Sequence, residues 1–331
     1  MKNILSNPVT DAVVDLNVTP SNLTTSGTTH FRSPSIVSLR RTLSLPTGAA
    51  DLAVTRDTIL VHARQLPAAP RVMNSLCRLL QDVRTNLDEL AAEIRIEPTL
   101  ASKVIQLSNN AVFGGGTRVG SIDEAVNRVG FGEVLRLVGA ATVAGLVDRA
   151  LGCYGVTAER LRESLLFHGL ASEALAVYAD VDSRTAYSAG LLRGIGIMVL
   201  DRAGRLRVTG ADVFDPQRFA VYGEWEKARF GVSGVEVSAI VMEEWRFPAD
   251  LVNALRSHLL LDEADYENRF AVVLNLAGAI VAEHCQALPG DAVCWEVTPE
   301  KLAAAGIEEA QFRTASERVA TIFNQQRKAL Y

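Results

Sequence analysis

The sequence predicts an all-α protein, a two-lobed helical bundle that follows a polar N-terminal segment. From about residue 52 almost to the end, apolar residues recur every three or four positions, which is the period of a helix with one buried face. No long stretch alternates between apolar and polar residues, as a half-buried strand would. Helix starts are marked as well, because Ser121 with Glu124 has the spacing of a capping box and Thr157 fits an N-cap.

Composition narrows the class of protein. The chain has 331 residues, of which 48% are hydrophobic and 21% charged, and its formal net charge is -5. We therefore expect a sizeable core, and no excess of positive charge indicates nucleic acid or an anionic membrane as a partner. No apolar run reaches the roughly 18 residues of a membrane span, and no export signal is visible. The four cysteines form no CxxC pair, so we expect free thiols in a cytoplasmic protein.

The chain divides into three segments. Residues 1–50 are rich in Ser, Thr, Asn and Pro and predict a disordered tail. Residues 52–262 form the predicted main domain, with a helical lobe over 52–150 and a bundle over 157–262, and residues 265–331 form a C-terminal helical extension. Helices are predicted near 52–64, 71–82, 87–95, 98–109, 122–129, 132–150, 158–180, 184–202, 216–229, 234–246, 248–259, 266–287, 299–304 and 308–328.

Two short helices over residues 87–110 have the spacing of a helix-turn-helix. A DNA-reading helix presents base-reading and phosphate-binding groups. The second helix offers amides but only one cation, Lys103, and one cation is too few for the counterion release that drives DNA affinity. We therefore interpret this segment as a hairpin packed on neighbouring helices and expect no nucleic-acid partner. A transcription regulator that uses the hairpin is the alternative function.

Residues 190–196 read Gly-Leu-Leu-Arg-Gly-Ile-Gly and are the most informative stretch of the chain. Other motifs precede it in a fixed order: Leu-Pro-Ala-Ala-Pro over 66–70, Glu-Pro-Thr-Leu over 97–100, Asn-Asn-Ala-Val-Phe over 109–113 and Ser-Ile-Asp-Glu-Ala over 121–125. In this order and spacing, the motifs resemble the HDOD family, the HD-related output domains of bacterial signalling proteins. The resemblance covers about residues 60–262. It implies a degenerate HD-like domain with an N-terminal helical lobe, and a non-catalytic signalling module.

The same resemblance indicates that a metal site has been lost. HD proteins carry Gly-Leu-Leu-His-Asp-Ile-Gly where this chain has residues 190–196, and the adjacent His and Asp bind the catalytic metal. Here Arg193 and Gly194 stand in their place, and neither offers imidazole nitrogen or carboxylate oxygen. Further ligand positions of the family match Gly234, Ser257 and Gly278.

Only His168 and His258 remain at positions that match family ligands. Two isolated histidines are too few ligands for a hydrolytic metal site. We therefore expect no metal, no cofactor and no catalytic residue, and we interpret the two histidines as packed or hydrogen-bonded imidazoles. A residual metal phosphohydrolase is the second alternative function.

Arg193 has two interpretations. Its guanidinium can fill the vacated metal position and pair with a nearby carboxylate, because a buried arginine needs a partner. It can also receive an anion such as a nucleotide phosphate. The salt bridge is the favoured interpretation, and the anion site is the hypothesis that the HD ancestry motivates.

The resemblance also implies how such a module acts, through contacts with other proteins in two-component or cyclic-dinucleotide signalling. We expect a signalling protein as partner, bound at a groove between the lobes, with a nucleotide as a further candidate ligand. Asn109, Asn110 and Phe113 lie in the loop expected to border this groove. In the other interpretation these asparagines cap and tie down the glycine turn that follows. The full set of candidate pocket residues is Asn109, Asn110, Phe113, His168, Arg193 and His258.

Overall fold

A computed structural model of the chain describes residues 53–66, 87–96, 98–109, 118–205, 213–285 and 287–330. The predicted disordered tail over residues 1–50 and the predicted helix near 71–82 lie outside these residues. The described part is all-α, as predicted. Besides short 3-10 turns it contains one isolated β-bridge, between Leu151 and Val156, and no strand.

The α-helices of the described residues are numbered here in chain order. They are α1 (Arg56–Arg64), α2 (Leu87–Ile96), α3 (Pro98–Ser108), α4 (Ile122–Leu146), α5 (Ala158–Ala176), α6 (Ser183–Leu192), α7 (Ile195–Gly204), α8 (Tyr222–Phe230), α9 (Gly234–Glu244), α10 (Ala249–Ser257), α11 (Arg269–His284), α12 (Pro299–Ala305) and α13 (Glu309–Leu330). None of them combines the length and the apolar character needed to cross a bilayer. Cys153 and Cys294, two of the described cysteines, are buried free thiols.

The predicted helix starts at Ser121 and Thr157 have side-chain caps, although Glu124 accepts from the Gly120 N–H at 3.0 Å and not from Ser121 as a capping box requires. The side chain of Ser121 accepts a hydrogen bond from the backbone N–H of Glu124 at 3.2 Å, and the side chain of Thr157 accepts one from Arg160 at the same distance. These bonds satisfy amides that have no partner inside the helix. Pro299 is the first residue of α12, where a missing N–H costs nothing.

Gly130 kinks α4. Its φ of 78° lies in the left-handed region, which glycine adopts without a steric penalty. The two helices predicted on either side of this point, near 122–129 and 132–150, therefore run on as one element, Ile122–Leu146, with the kink between them.

Helix α5 is the centre of the bundle. It packs against α6, α11, α13 and α4, and buried residues surround it, among them Leu165, Phe167 and Leu170. Every residue from 164 to 172 is buried, so other helices enclose the middle of α5 on all sides. The enclosing helices include α11 and α13 from the predicted C-terminal extension, while α1 packs against α7 and α9. The domain boundaries stated above stay predictions.

The prediction of one helix over 184–202 was wrong, because the chain breaks between α6 and α7 at Arg193 and Gly194. The cause is a contact with α9. The hydroxyl of Ser238 accepts from the Gly196 N–H at 2.9 Å and donates to the Arg193 carbonyl at 3.4 Å, so it replaces bonds that a continuous helix would make. Residues 190–196 are thus a helix break that seats α7 directly on α9.

Candidate functional site

Three of the predicted pocket residues converge on the indole of Trp295. His168 comes from α5, His258 follows α10, and Arg193 lies at the break between α6 and α7. The centroid of the Trp295 ring lies 5.8 Å from that of His168, edge to face, and 6.2 Å from that of His258, stacked. The guanidinium carbon of Arg193 lies 5.1 Å from the Trp295 centroid, within the range of a cation–π contact.

Each histidine uses one ring nitrogen to donate to a backbone carbonyl. Nε2 of His168 lies 2.8 Å from the Leu274 oxygen, and Nδ1 of His258 lies 2.7 Å from the Leu255 oxygen. Burial, and after it the charge of Arg193, lower the pKa of His168 well below its usual value and the pKa of His258 to about 3. Both rings are therefore neutral and packed against Trp295, in line with their interpretation as packed imidazoles.

The ring of Trp295 occupies the space beside Gly278. A Cβ atom added to Gly278 would lie 2.4 Å from ring carbons of Trp295, closer than such atoms approach. By resemblance, Gly278 replaces a carboxylate ligand of the HD proteins. The indole therefore lies where that carboxylate would project, between the two surviving histidines.

Arg193 forms an ion pair with Asp291, from the segment between α11 and α12. Its side chain is 6% exposed and that of Asp291 is 9% exposed, so the pair is almost fully withdrawn from water. This contact is the kind of salt bridge that was the favoured interpretation of Arg193. Nε of Arg193 has no hydrogen-bond partner among the described residues.

The donor set does not fit a metal. Among the described residues, no three His, Cys, Asp or Glu side chains come close enough together to hold an ion. The indole of Trp295 lies against the rings of both His168 and His258. The nearby cation Arg193 would repel a divalent ion, so no metal-dependent step can be assigned to these residues.

A cleft lies beside this cluster, where the N-terminal ends of α7, α8 and α9 come together. It contains about 360 Å³ of empty space, including its open mouth. Arg193 and Gly194 line one side of it, Tyr222 and Gly223 a second, and Gly234 the third. We call it the glycine cleft, because each of the three helices contributes a glycine at or next to its first turn.

Glu226 of α8 is buried at the base of the glycine cleft. Its Oε1 accepts from the Tyr154 hydroxyl at 2.7 Å and its Oε2 from the Gly234 N–H at 2.6 Å. Burial raises the pKa of this carboxyl from 4.5 to about 7, although both hydrogen bonds favour the charged form.

This shift predicts a stability effect of Glu226→Gln. Because the pKa is higher in the folded state, the stability that Glu226 contributes is present below pH 4.5 and is lost as the pH rises through 7. Glutamine stays neutral, can accept from Gly234 and can donate to the Tyr154 oxygen. We expect denaturant unfolding to show the variant more stable than the wild type by up to about 3 kcal/mol at pH 8, with this pH-dependent difference vanishing below about pH 4. A constant difference across this range would contradict the assignment.

Asn109 lies apart from this cluster and joins the end of α3 to Val119, which precedes α4. Its Nδ2 donates to the Ile105 and Val119 carbonyls, and its Oδ1 accepts from the Val119 N–H at 2.7 Å. The glycine turn that the asparagines tie down in the other interpretation lies outside the described residues, so that role stays a prediction. Asn110 and Phe113 lie outside the described residues, so their part in a groove between the lobes stays a prediction.

The hairpin of α2 and α3, the candidate DNA reader, packs against α4 through both of its helices. Ala91 and Ile94 of α2 and Val104 of α3 are buried. This arrangement is that of a hairpin packed on its neighbours.

Sequence reasoning missed four residues of the site: Asp291, Trp295, Tyr222 and Glu226. Asp291 and Trp295 follow the region of motif resemblance, and no spacing links them to Arg193 or Gly278. A Glu in an amphipathic helix is read as exposed by default, so the burial of Glu226 gave no local signal. The usable signal was Gly278 itself, since a glycine inside an apolar helix indicates close approach by another group.

A helical bundle with a helix break at residues 190–196 and the positions of a lost HD metal site around it defines an HD-related helical protein. A family model described as the HDOD domain matches residues 66–260. This is more than half of the chain, and the chain belongs to the HDOD family.

Individual relatives are distant. A protein of Treponema pallidum (strain Nichols), named as uncharacterized, is 25% identical over 230 residues, which are 69% of this chain and 43% of that protein. The chain thus spans less than half the length of this relative.

Two solved structures have a similar fold. One, named as a candidate signal transduction protein from Marinobacter aquaeolei VT8, has a TM-score of 0.61 and 18% sequence identity, and the match covers 86% of this chain and 67% of that one. The second, named as a candidate phosphohydrolase from Shewanella amazonensis SB2B, has a TM-score of 0.55 and 20% sequence identity, and the match covers 83% of this chain and 98% of that one. Such identities show a shared fold.

Proposed function

We propose that this HDOD protein is a non-catalytic signalling module of the bacterial cytoplasm, which acts through contact with a protein partner. The observation that carries the proposal is the filled metal site. Trp295 lies beside Gly278 and between the two surviving histidines, and Asp291 neutralises the arginine that replaces a ligand. The assignment to the HDOD family supports a signalling role, since HDOD domains are the HD-related output domains of bacterial signalling proteins.

The local energetics favour retention of a rigid scaffold. Side chains of the protein itself occupy the position where a metal and its substrate would bind, and they are packed and paired. Displacing Asp291 from this position would leave the buried Arg193 without its ion-pair partner, which costs about 3–5 kcal/mol. What the family architecture retains here is a shaped surface on a stable core, which is what a module that relays signals by contact requires.

The proposal predicts binding without hydrolysis. Immobilised full-length protein should enrich a defined protein from a lysate of the source organism, and that protein, once purified, should bind it at a fixed stoichiometry in calorimetry. The same preparation, supplied with Mn²⁺ or Mg²⁺, should hydrolyse bis-p-nitrophenyl phosphate and cyclic dinucleotides no faster than a heat-denatured control. Turnover that disappears in His168→Ala, or the lack of any stoichiometric partner, would overturn the proposal. A salt-sensitive shift of DNA in a gel would favour the transcription regulator instead.

A further inference from the structure

The stretch of chain over residues 261–309 is strongly acidic. It contains ten Asp and Glu residues against one Arg and one Lys, a net charge of -8, whereas the whole chain has a net charge of -5. The rest of the chain is therefore slightly positive. Of the two cations in the stretch, Lys301 is buried and its ammonium group donates to the backbone carbonyls of Cys294 and Glu296. Only Arg269 presents a positive charge to solvent within this stretch.

Exposed apolar side chains lie in the same stretch. Leu261 is 44% exposed, Val293 57% and Val297 39%. The other large apolar side chains exposed among the described residues stand apart from one another, with Val61 in α1 and Val177 at the end of α5. Single exposed apolar residues are ordinary on a protein surface, whereas a group of them rimmed by polar residues marks an interaction site.

Two links bring the chain after α10 and the chain before α12 side by side. In the first, the ring of Trp295 stacks on that of His258, with 6.2 Å between the centroids. In the second, α12 packs on the 3-10 turn over residues 263–267. Burial and then the carboxylate of Glu300 raise the pKa of the Tyr266 hydroxyl, so these two side chains are electrostatic neighbours.

These links place Leu261 and Val297 in one region of the surface. Each of the two residues lies in the chain between a member of the first link and a member of the second, and Val293 precedes the stacked indole by two positions. Five exposed carboxylates belong to the same two stretches. We call the eight residues together the acidic patch: Leu261, Val293, Val297, Asp262, Glu263, Glu267, Glu296 and Glu300.

The charge of the acidic patch selects what can cover it. A second copy of this chain would bring the same negative charge to the contact, and nucleic acid or an anionic membrane would be repelled in the same way. A protein segment in which Lys or Arg alternates with apolar side chains complements both the carboxylates and the exposed apolar groups. The buried Trp295 and the two hydrogen bonds of Lys301 hold this surface in place, so little ordering is needed on binding.

We propose that the acidic patch is a docking surface for a basic segment of a partner protein, whose apolar side chains contact Leu261, Val293 and Val297. This inference rests on the proposed function and deepens it by naming the chemistry of the partner. The acidic patch is a different surface from the groove between the lobes that the sequence predicts.

The first arm of the test removes the apolar contacts. The probe is a fluorescein-labelled amphipathic helical peptide of about 18 residues, made of leucine and lysine, and fluorescence polarisation measures its binding to the full-length protein. We expect the double variant Val293→Ser, Val297→Ser to bind about ten-fold more weakly than the wild type. Val61→Ser with Val177→Ser is the matched control, and it should bind like the wild type. All four side chains are exposed, so the midpoint of urea unfolding should stay unchanged.

The second arm reverses charge. Glu263→Lys with Glu296→Lys should weaken binding of the same peptide about ten-fold at low salt, and the difference should shrink at high salt. Asp57→Lys with Glu317→Lys is the control, because it changes the net charge equally at exposed carboxylates outside the acidic patch. A peptide with glutamate in place of lysine should not bind.

Equal loss of binding in patch and control variants, or no loss in the patch variants, would overturn the proposal. A dimer of the wild type in sedimentation, absent in the valine double variant, would show that a second copy covers the patch and would overturn it as well. The captured partner of the proposed function should also bind the valine double variant more weakly. A partner that binds this variant as tightly as the wild type would overturn the acidic patch and leave the proposed function standing. If no partner is captured, the proposed function fails, and the peptide titrations still decide whether the patch binds basic segments.

Discussion

Trp295→Ala is expected to lower the free energy of unfolding by about 3–5 kcal/mol, as deletions of large buried aromatic rings do. The indole contacts His168, His258 and Arg193 and fills the space beside Gly278. Alanine leaves a cavity between neutral imidazoles and removes the ring that faces the guanidinium. Urea unfolding, followed by far-UV circular dichroism, measures the loss.

Two further variants separate this packing from a general effect of the segment. Val297→Ala, at a 39% exposed side chain in the same segment, should change stability by less than about 0.5 kcal/mol. Gly278→Ala should cost about 1–3 kcal/mol in the wild type, because its Cβ meets the indole, and close to nothing in the Trp295→Ala background. Additive effects of the two changes would show that Trp295 does not fill the space at Gly278.

Gly196→Ala is expected to destabilise the protein by more than about 3 kcal/mol or to prevent folding. An added Cβ would lie 1.8 Å from the carbonyl oxygen of Gly234, which is backbone and cannot rotate away. Helices α7 and α9 would have to separate, and the bond between Gly196 and Ser238 would be lost with their contact. Thermal unfolding and the yield of soluble protein are the measurements.

Gly132→Ala provides the comparison. Gly132 also lies in a helix, α4, but no heavy atom of the described residues lies within 4 Å of the position of its added Cβ. Alanine has the higher helix propensity, so this variant should be unchanged or more stable by about 0.5–1 kcal/mol. Equal thermal stability and equal yield of the two variants would contradict the interpretation that residues 190–196 are retained because α7 packs closely on α9.

The sequence predicted the helical class and the residues around which the site is built. Helix α12 illustrates this, because the residues that begin and end it lie next to it in the sequence. Pro299 marks its start, and Gly306, with a φ of 69°, marks its end. The replacement of two metal ligands by Arg193 and Gly194 can also be recognised from adjacent residues, because both lie within the motif over residues 190–196. The break between α6 and α7 was missed because its cause, the hydroxyl of Ser238, belongs to a helix more than 40 residues away.

The contents of the site depend on contacts between distant segments. Asp291 lies 98 positions after Arg193, and nothing in the residues between them indicates the pairing. The empty position at Gly278 was recognised, but the indole that fills it was not, because a tryptophan after the last matched motif has many helices on which to pack. The hydroxyl of Tyr222 has no hydrogen-bond partner among the described residues, which is a property of packing alone and has no counterpart in a sequence pattern.

The metal content of the purified protein tests the central claim most directly. The full-length chain is incubated with Mn²⁺, Fe²⁺, Zn²⁺ or Mg²⁺, passed through gel filtration and analysed by plasma mass spectrometry, beside a His168→Ala, His258→Ala double variant. With Trp295 packed against both histidines and Arg193 in a ligand position, we expect the same background level of metal in both proteins. One metal ion per chain in the wild type, lost in the double variant, would show that the site still works as a metal centre and would contradict the account.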